Sequence, residues 1–281
     1  MKRAFLIVPA FIAAIVLNAY PQEIGVYGYQ KYEPGQIVLL FGDKVNVRGT
    51  ASPDGKVVAQ LPIGAEVMIV EKTEELYTLN DYTEEWYKVE FKDSQGMSGK
   101  GYIWGGLISK TSYMGDILKD GVTDIILVGV TDGGQKVKVR LLQNGKMVYE
   151  SPDMKGFINV FGAEGQLSYV VNIELVQGLG FTNPADAIRI SFLYEACDVT
   201  SGEILLLTDG KKTYYVATLE DFGNELAYIH HEVVFPSASK KDTKLSVILN
   251  EELTDEETGK VIKKEKTEVY TWDGKSVKKT K

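Results

Sequence analysis

The chain has 281 residues, with 39 Asp and Glu against 31 Lys and Arg, two histidines and a single cysteine, Cys197. A formal charge of −8 makes it a poor general binder of nucleic acid or anionic lipid, so an anionic partner has to be met by local geometry. One cysteine excludes a disulfide within this sequence, and stability has to come from burial.

Met1-Lys2-Arg3 is a short basic start, followed by an apolar run from Ala4 to Leu17 and a small residue, Ala19. This order predicts a signal peptide over residues 1–19 and a secreted or periplasmic protein. As a helix the 14-residue run would reach ~21 Å, short of the ~30 Å hydrocarbon core, so no stable membrane span is expected after processing. Removal of the leader, with Lys2 and Arg3, leaves 262 residues at −10, enough for two domains. Residues 20–35 read as a linker, and its tyrosines (Tyr20, Tyr27, Tyr29, Tyr32) predict some packing on the adjoining module.

Residues 36–110 read as a small all-β module. Val45 and Val47 alternate with Asn46 and Arg48, and Leu61, Ile63, Val67 and Ile69 continue a buried face. Pro53-Asp54-Gly55 is a turn signal, Pro presetting φ and Gly accepting positive φ. Thr73 to Glu85 reads as a long polar loop before the strand Trp86 to Phe91, and Asp93 to Gly99 as a second loop. The series Asn46-Val47-Arg48, Lys56 to Leu61, Gly64 to Val67, Trp86-Tyr87-Lys88-Val89 and Gly101-Tyr102-Ile103-Trp104 resembles the bacterial SH3-like (SH3b) domain. The resemblance covers residues 37–109. It implies a barrel that binds rather than catalyses, with cell-wall peptidoglycan or an envelope protein as partner, no nucleic acid and no cofactor.

Residues 111–281 form a larger β-rich region. Asp124 to Thr131 is a continuous apolar strand, and Val137, Val139 and Leu141 alternate with Lys136, Lys138 and Arg140. Asn144-Gly145 and Asp209-Gly210 mark hairpins, and Leu167 to Val176, Ala187 to Ala196 and Leu226 to Phe235 supply more strands. The expected fold is all-β: a small SH3-like barrel followed by a larger antiparallel β-sandwich-like domain. Near the end, acidic Glu251 to Glu257 precedes Gly259 and Lys260, Lys263, Lys264 and Lys266 come after it, predicting a hairpin with opposite charges facing across the ladder.

Three catalytic or metal possibilities are weak on chemistry. Cys197 precedes His230 and His231 in the order of a Cys-dependent wall hydrolase, but it ends an apolar strand and lacks the helix N-terminus or cation that activates a thiolate. His230 and His231 are neighbours on one predicted strand, whose side chains point to opposite faces, so a shared metal is not expected. The Asp-Gly loops at Asp132, Asp209 and Asp273 lack the carboxylate ladder of a calcium loop. The chain is therefore expected not to be an enzyme and to hold no metal. The candidate ligand residues are the aromatics Tyr77, Tyr82, Tyr87, Tyr102 and Trp104, whose faces can stack on sugar rings or flat peptide groups. An alternative keeps the barrel as a structural or protein-interaction brace.

Overall fold

The computed structural model describes residues 32–80, 82–93, 95–131, 136–155, 169–194 and 201–281. The predicted leader, Tyr20, Tyr27 and Tyr29, the Asp132-Gly133 turn and Cys197 lie outside the described residues. Among the described residues the regular elements are β-strands and one short 3-10 turn, Gly105–Leu107.

The first six strands are β1 (Ile37–Leu39), β2 (Val45–Arg48), β3 (Val57–Leu61), β4 (Glu66–Leu79), β5 (Tyr82–Lys92) and β6 (Ser98–Trp104). They make one antiparallel sheet in the order β1-β4-β5-β6-β2-β3, which curls around a core that includes Tyr32, Leu40, Val47, Ile69, Tyr87 and Ile103. The period-2 pattern works as read: Val45 and Val47 are buried while Asn46 and Arg48 are half-exposed. The 53–55 turn works differently. Gly55 does not take a positive φ; a Cβ there would meet the Thr50 hydroxyl at 2.5 Å, and its carbonyl accepts from Arg48 Nη1 at 2.8 Å. Gly is needed for close approach, not for handedness.

The stretch expected as a polar loop, Thr73 to Glu85, is instead a projecting hairpin arm. β4 and β5 stay paired from Leu76↔Glu85 to Leu79↔Tyr82, with Asn80 at φ 50° in the turn. Thr and Tyr favour extended backbone, but the arm has no continuous buried face and so no hydrophobic alternation. Between Lys72 and Leu76 the register slips, and the extra residues bulge opposite Trp86, whose carbonyl accepts from the Thr73 hydroxyl at 2.9 Å.

The next strands, β7 (Thr111–Gly115), β8 (Asp124–Thr131), β9 (Lys136–Gln143), β10 (Lys146–Glu150) and β11 (Met154–Lys155), form a second antiparallel sheet. Asn144 and Gly145, at φ 51° and 70°, close the β9–β10 hairpin as the sequence predicts. The rest of the chain is an eight-stranded meander: β12 (Tyr169–Val176), β13 (Asp186–Tyr194), β14 (Ser201–Thr208), β15 (Thr213–Gly223), β16 (Ala227–Val234), β17 (Lys244–Thr254), β18 (Val261–Trp272) and β19 (Val277–Lys279).

These two sheets pack as a sandwich. Ile126, Val128 and Val139 of the first meet Ile188, Ile190, Ile204 and Leu206 of the second. The opposite face of the meander is also buried: Ala187, Leu205 and Leu207 lie under Leu245, Val247, Tyr270 and Trp272 from its own C-terminal strands. The fold-back is possible because β15 pairs along β14 but meets β16 only at Phe222 and Gly223. The charged hairpin forms with opposite charges facing, Glu252 opposite Lys263 and Glu251 opposite Lys264, and Lys263 Nζ lies 2.6 Å from Glu252.

Barrel and sandwich share an apolar seam. Leu39, Phe41 and Ile63 pack on Leu127 and Leu142. Arg140 caps it: Nη1 donates to the Phe41 carbonyl at 2.6 Å and the guanidinium lies 4.2 Å from the Phe41 ring centroid. Gly129 makes room for that ring, since a Cβ there would fall 2.3 Å from it.

Candidate functional site

The structure brings three of the five predicted ligand residues together and separates two. Tyr77 and Tyr82 on the arm both pack edge-on against Trp104, with ring centroids 5.7 and 5.8 Å apart, and Tyr77 also lies 6.2 Å from Trp86. Both tyrosines are half-buried, while Trp86 and Trp104 are buried. Trp104 Nε1 donates to the carbonyls of Tyr77 at 2.9 Å and Glu84 at 3.2 Å, so the indole fixes the arm to the barrel's end. Trp104 therefore offers no free face, which corrects its reading as a ligand residue.

Tyr87 is a second correction. It is fully buried in the barrel core, edge-on to Tyr32 at 5.2 Å, with its hydroxyl donating to Glu85 at 3.1 Å. Neighbouring residues on a strand face opposite sides, but both Trp86 and Tyr87 are covered because the arm and the barrel wall bury the two faces. Tyr102 is half-buried on β6, directly between Arg48 and Lys88 in the cross-strand row and apart from the arm cluster.

Beneath the aromatics is a charge pair that the sequence did not single out. Lys110 Nζ lies 2.5 Å from Glu84, with side-chain exposures of 4% and 11%. The Tyr82 hydroxyl donates to the same Glu84 oxygen at 2.5 Å, and the ammonium sits 5.5 and 5.6 Å from the ring centroids of Tyr32 and Tyr82. Burial pushes the Tyr32 phenol up to about 12 despite the pull of Lys110, and pushes Tyr82 and Tyr87 up as well. Lys110 sits at the expected domain boundary, so nothing in its neighbours signals burial. Its own N–H donates to Val128 of the sandwich at 2.7 Å.

The bulge in β4 leaves an open depression of about 380 Å³ lined by Lys72, Thr73, Glu74, Leu76 and Glu85. Lys72 and Glu85 pair across it at 3.0 Å, and Leu76 is 65% exposed. This is the accessible amphiphilic surface beside the aromatic cluster: one apolar side chain, a carboxylate rim and an ammonium.

The two histidines also correct an expectation. Both rings reach one carboxylate, His230 Nδ1 at 3.3 Å and His231 Nδ1 at 3.1 Å from Asp221, whose Oδ1 also accepts the His231 N–H at 2.8 Å. Strand alternation fails as a guide here because Asp221 stands where β16 leaves β15. Asp221 is held below the usual carboxylate range, burial opposing and the His231 hydrogen bonds favouring the charge. Among the described residues no group of three or more His, Cys, Asp or Glu is placed to hold a metal ion. The Asp209 and Asp273 carboxylates accept N–H groups of their own turns, as ordinary turn aspartates do.

Strands β1 to β6 thus form a small barrel with an aromatic-buttressed arm. Residues 43–109 match the family described as the bacterial SH3 domain. No curated protein and no solved structure matches the chain. Among the described residues no helix is long and apolar enough to cross a membrane.

Proposed function

We propose that the chain is a non-enzymatic protein of the cell envelope, exported by the leader at residues 1–19, whose SH3 domain (residues 36–110) recognises peptidoglycan. The observation that carries this reading is the family match over a module whose arm holds an open amphiphilic depression. Stem peptides carry amines and carboxylates on an extended backbone. Glu74 and Glu85 suit the amines, Lys72 the carboxylates, and Leu76 the apolar groups between them. Tyr77 and Tyr82 support the arm, and Tyr102 lies on a separate face.

The test is co-sedimentation of the full chain with purified sacculi, beside a Leu76→Asp variant. Leu76 is exposed, so the variant keeps the fold. The expected result is binding at moderate salt that falls at least fivefold in the variant. Wild-type chain left in the supernatant would point to a protein ligand, and undiminished binding by the variant would move the site off the arm.

A second reading has its own observation. The seam of Leu39, Phe41 and Ile63 on Leu127 and Leu142 supports a reading of residues 36–110 as a brace for the β-rich region at 111–281. The two roles are compatible, since a braced barrel presents its arm in a fixed direction.

A further inference from the structure

One end of the eight-stranded meander carries a cluster of exposed lysines. The meander's turns alternate ends, so the β12–β13, β14–β15, β16–β17 and β18–β19 connections gather at one of them. Close contacts bind these loops into one surface. Gly180 N–H donates to the Pro236 carbonyl at 2.7 Å, and Phe181 bridges to Asp242. Trp272 Nε1 donates to the Asn183 carbonyl at 2.9 Å, and the Tyr214 and Trp272 ring centroids lie 4.7 Å apart.

This end carries Lys211 and Lys212 on the β14–β15 turn, Lys240 and Lys241 on the β16–β17 connection, Lys244 at the start of β17, and Lys275 on the β18–β19 turn. All six are exposed, and none has an ion-pair partner among the described residues. The three aspartates beside them are turned to the backbone. Asp209 accepts from the N–H groups of Lys211 and Lys212, Asp242 from Thr243 and Lys244, and Asp273 from Lys275 and Ser276. These carboxylates hold the turns, and the six ammonium groups of this end outnumber them by three. The opposite end carries Glu225, Glu251, Glu252 and the Asp255 to Glu257 run beside Lys260, Lys263 and Lys264, with Lys263 paired to Glu252. A locally cationic end on a chain of net charge −8 is a directed feature, not an overall bias.

We propose that this lysine-bearing end of the sandwich is a docking surface for an anionic glycan, a polysaccharide with repeating carboxylate or phosphate groups. The charge of the surface selects a polyanion. Its spread over three separate connections suits an extended chain crossing the loop cluster rather than a single small anion. The net negative charge of the chain repels any polyanion at long range, so binding has to come from this local cluster. The surface is independent of the SH3 arm, so each can fail without the other.

The experiment measures binding of the full chain to polygalacturonate as the probe, with neutral dextran of equal length as the control, across a series of salt concentrations. The expected result is binding to polygalacturonate but not dextran, weakening steeply with salt. Lys211→Gln/Lys212→Gln/Lys240→Gln/Lys241→Gln should bind at least tenfold more weakly, with a salt slope shallower by about 3. Lys260→Gln/Lys263→Gln/Lys264→Gln, at the opposite end, should bind as the unmodified chain does. The proposal is overturned if the chain ignores polygalacturonate at low salt, if both variants weaken equally, or if duplex DNA or anionic phospholipid vesicles bind the same lysines more tightly.

Discussion

Replacing Lys110 by Met keeps the length and apolar stem of the side chain and removes only the ammonium. In the folded chain that ammonium is nearly inaccessible, 2.5 Å from a Glu84 carboxylate that is itself 11% exposed. Without it Glu84 retains the Tyr82 hydroxyl, one neutral donor for a buried charge. Breaking a buried pair by removing one partner costs about 3–5 kcal/mol, because the survivor stays desolvated without compensation. At roughly 2–4 °C per kcal/mol for a chain of this size, the melting temperature should fall by about 6–20 °C. The companion Glu84→Gln/Lys110→Met removes both charges and should regain more than half of the loss, since a neutral buried pair leaves no stranded ion. Urea unfolding followed by tryptophan fluorescence reads both variants, as Trp86 and Trp104 flank the pair's arm. A Lys110→Met loss below ~1 kcal/mol, or a double variant no more stable than the single one, would show that the pair is solvated, and the reasoning would fail.

Phe41→Ala removes the ring that fills the seam under Arg140 and should destabilise by about 3–5 kcal/mol. If the barrel braces the sandwich, proteolysis should then cut within 111–281 as well as within the barrel. Gly129→Ala drives a methyl into the same ring and should cost about 1–3 kcal/mol, read by the shift in urea midpoint. Glu268 is held at about 2 by Lys279, Lys266 and Tyr270, so its contribution is present above the usual carboxylate value and is lost as pH falls toward 2. Glu268→Gln should flatten that acid limb in melting scans from pH 5 downward. Tyr32 and Tyr149 are raised to about 12, so their contribution is complete below pH 10 and disappears as pH rises through 12. Ultraviolet titration should show these phenols ionising together with unfolding, after the exposed tyrosines.

The parts of the fold that were legible are those whose signal is local. Alternating valines in β2, the Asn144-Gly145 turn and the opposed charges of the β17–β18 hairpin each follow from a few adjacent residues. The arm was not legible, because a hairpin with water on much of both faces has strand-forming residues but no apolar rhythm. The fold-back of the meander was not legible either. It depends on β15 parting from β16 after two residues, an event set by packing on Leu245, Val247 and Trp272 far along the chain.

The candidate site shows why an aromatic cluster in sequence is a poor guide to a ligand face. Stacking on a sugar ring and stacking on a neighbouring indole require the same side chain, and only tertiary contacts distinguish them. Here the indole of Trp104 holds both tyrosines of the arm, its N–H holds the arm's backbone, and Lys110 ties the arm's Glu84 to a residue bonded to β8. The aromatics thus fix the arm to the barrel and leave the polar and aliphatic side chains of the bulge as its accessible surface. A stiff arm loses little conformational freedom when a ligand docks, so even a shallow depression can hold a repetitive polymer through many weak, pre-organised contacts.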